Sequence, residues 1–89
     1  MPPTITTQPQ SQTVPQGQPA TFTVAASGTP TLNYQWMENG MAISAGTSAS
    51  YTTPPTMPND NNAQFAVVVS NSSGSVTSTS ATLRVLLVP

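Results

Sequence analysis

The stretch Leu32–Gly40, LNYQWMENG, decides how the rest of the chain is read. Leu32, Tyr34 and Trp36 alternate with Asn33 and Gln35. In a strand, where side chains alternate sides, the first three share one face and the two amides share the other. Asn39-Gly40 follows directly. Both residues of such a pair readily take positive φ, which a tight hairpin of the right twist requires. The stretch therefore reads as a strand ending in a hairpin, with Met41–Ile43 as a short return strand. It also contains the single tryptophan of the chain. Facing outward, Trp36 would be a platform for a ligand; facing inward, it is core. Its parity with Leu32 and Tyr34 places it inward.

The same period of two extends on both sides. Thr4–Gln8 reads as an edge strand broken by Pro9 and resumed over Gln12–Pro15, where proline is tolerated because an edge amide has no ladder partner. Ala20–Ser27 turns Phe22, Val24 and Ala26 to one face. Ala49–Thr53 is a further strand, closed by Pro54-Pro55. The polar connection that follows is expected to tuck Met57 into the core. Ala63–Asn71 turns Phe65, Val67 and Val69 inward. In the last strand, from Ser75 to about Leu87, the inward residues are Val76 and then Ala81, Leu83 and Val85. Parity switches from even to odd between them, so one extra residue, a β-bulge, is expected near Thr77–Ser80.

Composition bounds the function. The chain has 89 residues, ten prolines, no cysteine and no histidine. That length suits one domain spanning 1–89, its core about 3–86, which buries roughly 60–65% of its unfolded surface. Serine and threonine together number 26, against three charged side chains, Glu38, Asp60 and Arg84. Nucleic-acid binding needs several Lys/Arg contacts to phosphate, and one arginine does not supply them. Insertion into a membrane needs a long apolar run, and none is present. Met1-Pro2-Pro3 reads as an initiator set before a domain cut from a longer chain.

Taken in order, GQPATFTVAASGTP, YQWMENG, SYTT, DNNAQFAVVVSNSSG and ATLRV resemble an immunoglobulin-like domain. The nearest forms are the intermediate set and the cysteine-free versions found in large bacterial surface and secreted proteins. The resemblance runs from roughly Pro3 to Leu86 and implies an all-β Greek-key sandwich of about seven antiparallel strands. Strands A, B, E and optionally D would pack on G, F and C. It places Val24 and Val67 where the family carries its two sheet-clamping cysteines, and Phe65 where it carries a corner tyrosine. A disulfide of that kind is worth about 2–5 kcal/mol. Without it, stability falls to a core of Phe22, Val24, Tyr34, Trp36, Phe65, Val67, Leu83 and Val85.

No residue set points to catalysis. A serine nucleophile would lack a His or Lys base. Glu38 and Asp60 are expected to meet at one pole of the resembled topology, which would suit an acid–base pair. Turn carboxylates that solubilise and cap are commoner, and no cleft is implied. Asn59–Asn62 is oxygen-rich but offers one carboxylate, too few for calcium, and reads better as a turn held by its own side chains. Asn71-Ser72-Ser73 matches a glycan acceptor and equally suits a hairpin turn, the favoured reading. Arg84 is expected to point into solvent. No catalytic group, cofactor or metal site is expected.

Met37, Met41 and Val68 form a candidate apolar binding patch on the sheet of strands G, F and C. The resemblance implies a non-catalytic spacer in a larger secreted or cell-surface protein, a monomer whose partners are neighbouring domains. The rival is an adhesion module that binds a protein or glycan through that face or its loop tips. With Phe22, Tyr34, Trp36 and Phe65 all inward, and Tyr51 at an inward position, no aromatic platform remains for sugar. The assignment of Trp36 predicts blue-shifted emission poorly quenched by acrylamide. Trp36→Ala should cost about 3–5 kcal/mol and unfold the domain; red, freely quenched emission would place the indole in solvent instead.

Overall fold

The computed structural model describes residues 1–87. Its strands are Thr4–Thr7 (β1), Gln12–Pro15 (β2), Thr21–Thr23 (β3), Ala25–Ser27 (β4), Asn33–Glu38 (β5), Met41–Ala42 (β6), Ser50–Thr52 (β7), Ala63–Asn71 (β8), Gly74–Thr77 (β9) and Ala81–Leu86 (β10). One 3-10 turn, Pro58–Asp60, interrupts them. In one sheet β2, β10, β8, β5 and β6 lie side by side, and β9 continues the β10 edge of β8. The opposing layer is built from β1 on β4 and β3 on β7. β3 and β4 are one strand parted at Val24, whose N–H bonds to the Ala49 carbonyl at 2.9 Å. Joined in this way, with β1 and β2 taken together and β9 and β10 joined across the irregularity at residues 78–80, the segments make the seven strands of an immunoglobulin-type sandwich.

Two elements differ from the sequence reading. β2 does not resume the edge strand on the same sheet. It crosses beyond Pro9 and pairs in parallel with β10, with Val14 opposite Val85. A strand with a buried proline at its midpoint cannot continue a ladder and is free to change layers. The optional D strand is absent among the described residues, because 44–48 is occupied in wrapping Trp36.

The bulge in the last strand is present. Val68 faces Thr77, yet Phe65 faces Ala81, so four steps on the returning chain oppose three on β8. Ser78 makes the irregularity tolerable. Its N–H donates to the Val67 carbonyl at 2.9 Å, and its Oγ accepts the Val67 N–H at 2.9 Å. A hydroxyl thus replaces the backbone carbonyl that the extra residue displaced, and no buried amide is orphaned. Asn39 and Gly40 take φ of 52° and 85°, as the hairpin reading requires.

The core contains Phe22, Val24, Trp36, Phe65, Val67, Val69, Leu83 and Val85. Phe22 stacks on Phe65 with centroids 4.6 Å apart, and Trp36 lies 6.4 Å from Phe22. Tyr34 is only half-buried and packs on the margin of this cluster, where the sandwich opens. Met57 corrects its expectation: it is 61% exposed. Thr56 is buried in its place because its hydroxyl bonds to the Gln18 carbonyl at 2.8 Å and the Pro15 carbonyl at 3.3 Å. On the outer face of the smaller sheet the strands meet through hydroxyls, Thr21 with Thr52 at 2.9 Å and Thr23 with Ser50 at 3.3 Å. This is how a nearly uncharged chain keeps a polar exterior.

Trp36 is fully buried and faces Val67 across the β5–β8 ladder. The loop beneath it has no counterpart in the sequence pattern. The indole Nε1–H donates to the Ser48 carbonyl at 2.7 Å, and the Trp36 N–H donates to the Gly46 carbonyl at 2.7 Å. Gly46 is in close contact: a Cβ added there would lie 2.6 Å from Trp36 Cβ. Gly46→Ala should therefore lower stability by about 1–3 kcal/mol through overpacking, read as a drop in the thermal midpoint. An unchanged midpoint would show that the loop yields without moving the indole.

Candidate functional site

Two surfaces compete for a functional role. The first is the outward face of the larger sheet. Residues directly opposite in an antiparallel pair share a face. Met37 faces Ala66 on β8 and Ala42 on β6, and Val68 faces Gln35 and Thr77. Met37 and Val68 therefore do lie on one face, both half-buried. Met41 does not join them. It pairs with Glu38, on the opposite side of the hairpin, and is 74% exposed. Nearness to the turn groups it with Met37 in the sequence, but the two-residue turn puts it in register with the wrong parity. Arg84 is exposed between inward Leu83 and Val85.

The second surface is a pole of the sandwich. Glu38 at the end of β5 and Asp60 in the 3-10 turn both line a cavity of about 270 Å³. Phe65 and Leu83 form its floor, Tyr51, Thr53, Pro54 and Pro55 its walls, and Met57 lies beside Asp60. The two carboxylates are brought together as expected, and they line a cleft that the sequence does not imply. It lies beyond Phe65 and Leu83 at the end of the core, and Met57, though largely exposed, lines it without filling it. No sequence signal separates that outcome from the tucked one, since parity has no meaning in an irregular connection.

The polar groups around the cavity have structural duties. Asp60 Oδ2 accepts the Met57 N–H at 2.8 Å, capping the 3-10 turn. Asn61 Oδ1 accepts the Val85 N–H at 3.0 Å, and the Asn62 N–H donates to the Leu83 carbonyl at 2.8 Å. These bonds pin the corner before β8 to β10, the service that a corner tyrosine hydroxyl would render at Phe65. Within Asn59–Asn62, Asp60 holds the turn locally, whereas Asn61 and Asn62 tie it to β10. Among the described residues no group of three or more His, Cys, Asp or Glu is placed to hold a metal ion. At the other pole Asn71 is similarly engaged. Its Oδ1 accepts the N–H of Ser73 and Gly74 at 2.9 and 3.2 Å, and its Nδ2 donates to the Met1 and Thr29 carbonyls at 2.6 and 3.1 Å. The nitrogen a glycan would need is already engaged by the Met1 and Thr29 carbonyls.

Burial, then the charge of Glu38, then that of Asp60 raise the Tyr51 phenol above its ordinary value of 10.0, because each disfavours the phenolate. Below pH about 10 the hydroxyl is protonated in folded and unfolded chains alike. Above it the unfolded chain ionises first and binds fewer protons, so stability falls as pH rises toward the folded value. In a Tyr34→Phe chain, where Tyr51 is the sole phenol, spectrophotometric titration should find ionisation above 10. Glu38→Gln should move it back down. Ionisation at the free-phenol value would separate Tyr51 from both carboxylates.

Comparison with known proteins agrees with this geometry. A family profile described as immunoglobulin domain matches residues 2–84. Among solved structures, the I-band fragment I67-I69 from titin superposes with a TM-score of 0.86 at 24% identity, covering 98% of this chain and 33% of that one. A chimeric titin Z1Z2-Z1Z2 tandem gives 0.82 at 30% identity, covering 96% and 50%. The N-terminal Ig1-2 module of the Drosophila receptor protein tyrosine phosphatase DLAR gives 0.84 at 29% identity, covering 99% and 50%. The chain spans a third to a half of these three, each of which holds more than one such unit.

Proposed function

This chain belongs to the immunoglobulin domain family, and from that premise we propose that it is a spacer, one domain over 1–89, in a larger secreted or cell-surface bacterial protein. Immunoglobulin domains are generally non-catalytic structural or binding modules. The observation that supports spacing over binding is the path of the chain through the sandwich. At the entering end, the Met1 carbonyl accepts bonds from Asn71 and Thr29, beside the β8–β9 hairpin. At the leaving end, the Leu86 carbonyl accepts the Gln16 N–H at 2.8 Å, and Gly17 in the same turn bonds to the Thr56 carbonyl at 2.9 Å. Those contacts belong to opposite poles of a body whose longest extent is 50 Å. A unit entered at one pole and left at the other adds its length to a row of domains.

The surface supports the same reading. Three charged side chains give little field to steer a charged partner, and the outer face of the smaller sheet is covered by paired hydroxyls. The cysteine-free clamp is the feature that favours a bacterial surface protein. Neighbouring domains are the proposed partners, with the domain itself monomeric. A binding role through the outward face of Met37 and Val68 is the second reading, favoured by their partial exposure beside Ala42 and Ala66.

A swap within the parent chain tests the proposal. Deleting the domain should shorten the parent's reach and impair its activity. Replacing it with an unrelated immunoglobulin domain of equal length should restore both. Failure of the replacement, or a glycan array returning one saturable ligand, would overturn the spacer reading in favour of binding.

A further inference from the structure

We propose that the acid-bearing, largely apolar cavity between β5, β7 and β8 is a binding site for an arginine side chain presented by a partner polypeptide. The inference goes beyond spacing, which neither requires nor excludes it. Both side-chain carboxylates of the chain, Glu38 and Asp60, line this one cavity of about 270 Å³. They come from separate elements, so the coincidence is made by the fold and not by a local run of acidic residues. The cavity is not simply a negative patch. Apart from Thr53, its remaining lining is apolar or aromatic: Tyr51, Pro54, Pro55, Met57, Phe65 and Leu83.

That combination selects its occupant. An alkyl stem gains by contact with the prolines and Met57, whose side chain is largely unburied in the free domain. A planar cation gains against the Tyr51 ring and pairs with the carboxylates. Arginine meets both demands better than lysine, because guanidinium is more weakly hydrated, stacks on rings and bonds carboxylates as a fork. The chain cannot fill the site with its own cation. Its one arginine, Arg84, is exposed on β10 and turned away from the cavity, into which its neighbour Leu83 points. Asp60 keeps one oxygen on the Met57 N–H, which holds the carboxylate in place without neutralising its charge. The raised Tyr51 phenol is consistent with this arrangement, since both carboxylates act on it.

The test is a titration of the domain, labelled at its methionine methyl groups, with a blocked Gly-Arg-Gly peptide. The Met57 methyl signal should shift saturably while that of Met37, on the outward face, stays still. Glu38→Gln and Asp60→Asn should each weaken binding roughly two- to five-fold, the range of exposed ion pairs. Both substitutions keep side-chain shape, and the amide introduced by Asp60→Asn retains an oxygen for the Met57 N–H. Unchanged Trp36 emission confirms that the variants fold. A peptide with citrulline in place of arginine should give no saturable shift. An equal response to citrulline, no saturable shift at Met57, or a shift at Met37 instead would overturn the proposal. Binding of Gly-Lys-Gly as tight as that of Gly-Arg-Gly would overturn the choice of arginine.

Discussion

Everything in this sandwich depends on one indole standing where two sheets must be joined without a covalent bond. Trp36 is wholly buried, faces Val67 on β8 and approaches Phe22 on the other sheet. A disulfide would hold the layers by limiting the unfolded chain. Here they are held by apolar area and by the polar edge of the same ring, since Nε1–H reaches the Ser48 carbonyl. That bond draws residues 43–48 across the core's open side, and Gly46 is the residue that lets the backbone come close enough. The absence of a D strand among the described residues follows from the same constraint, because a loop committed to the tryptophan cannot also run along a sheet edge.

Single side chains perform the other structural services that regular structure or covalent chemistry would otherwise provide. Ser78 satisfies Val67 at the bulge, Asn61 fastens the corner beside Phe65 to β10, and Asn71 accepts two amides of its own turn and donates to the Met1 and Thr29 carbonyls. Each is a short polar residue able to mimic a backbone group. The abundance of serine, threonine and asparagine in this chain is therefore partly architectural. It also explains how, among the described residues, a domain with three charged side chains leaves no buried polar side-chain atom unpaired.

The pole that contains Glu38, Asp60 and Tyr51 shows how a site arises from imperfect filling. Core residues end at Phe65 and Leu83, Met57 stays largely exposed, and a cavity remains that it lines without filling. The carboxylates reach it because the β5–β6 hairpin and the connection before β8 close the same end. Sequence order within the resembled topology is enough to anticipate that meeting. It is not enough to anticipate the space between them, because volume depends on which way an unpatterned methionine points.

The strands, their inward faces and the bulge are legible in the bare chain, because alternation has a period that a single string of residues displays. The burial of Trp36 and the Asn39-Gly40 hairpin are legible for the same local reasons. Three outcomes came instead from the packing of the whole: β2 crosses to pair with β10, 43–48 closes over the indole, and Met41 falls on the opposite face from Met37 and Val68. Each of them depends on a distance or register between segments far apart in the chain or outside any repeat. Local periodicity carries no information about such distances; they are settled when the two sheets close on each other.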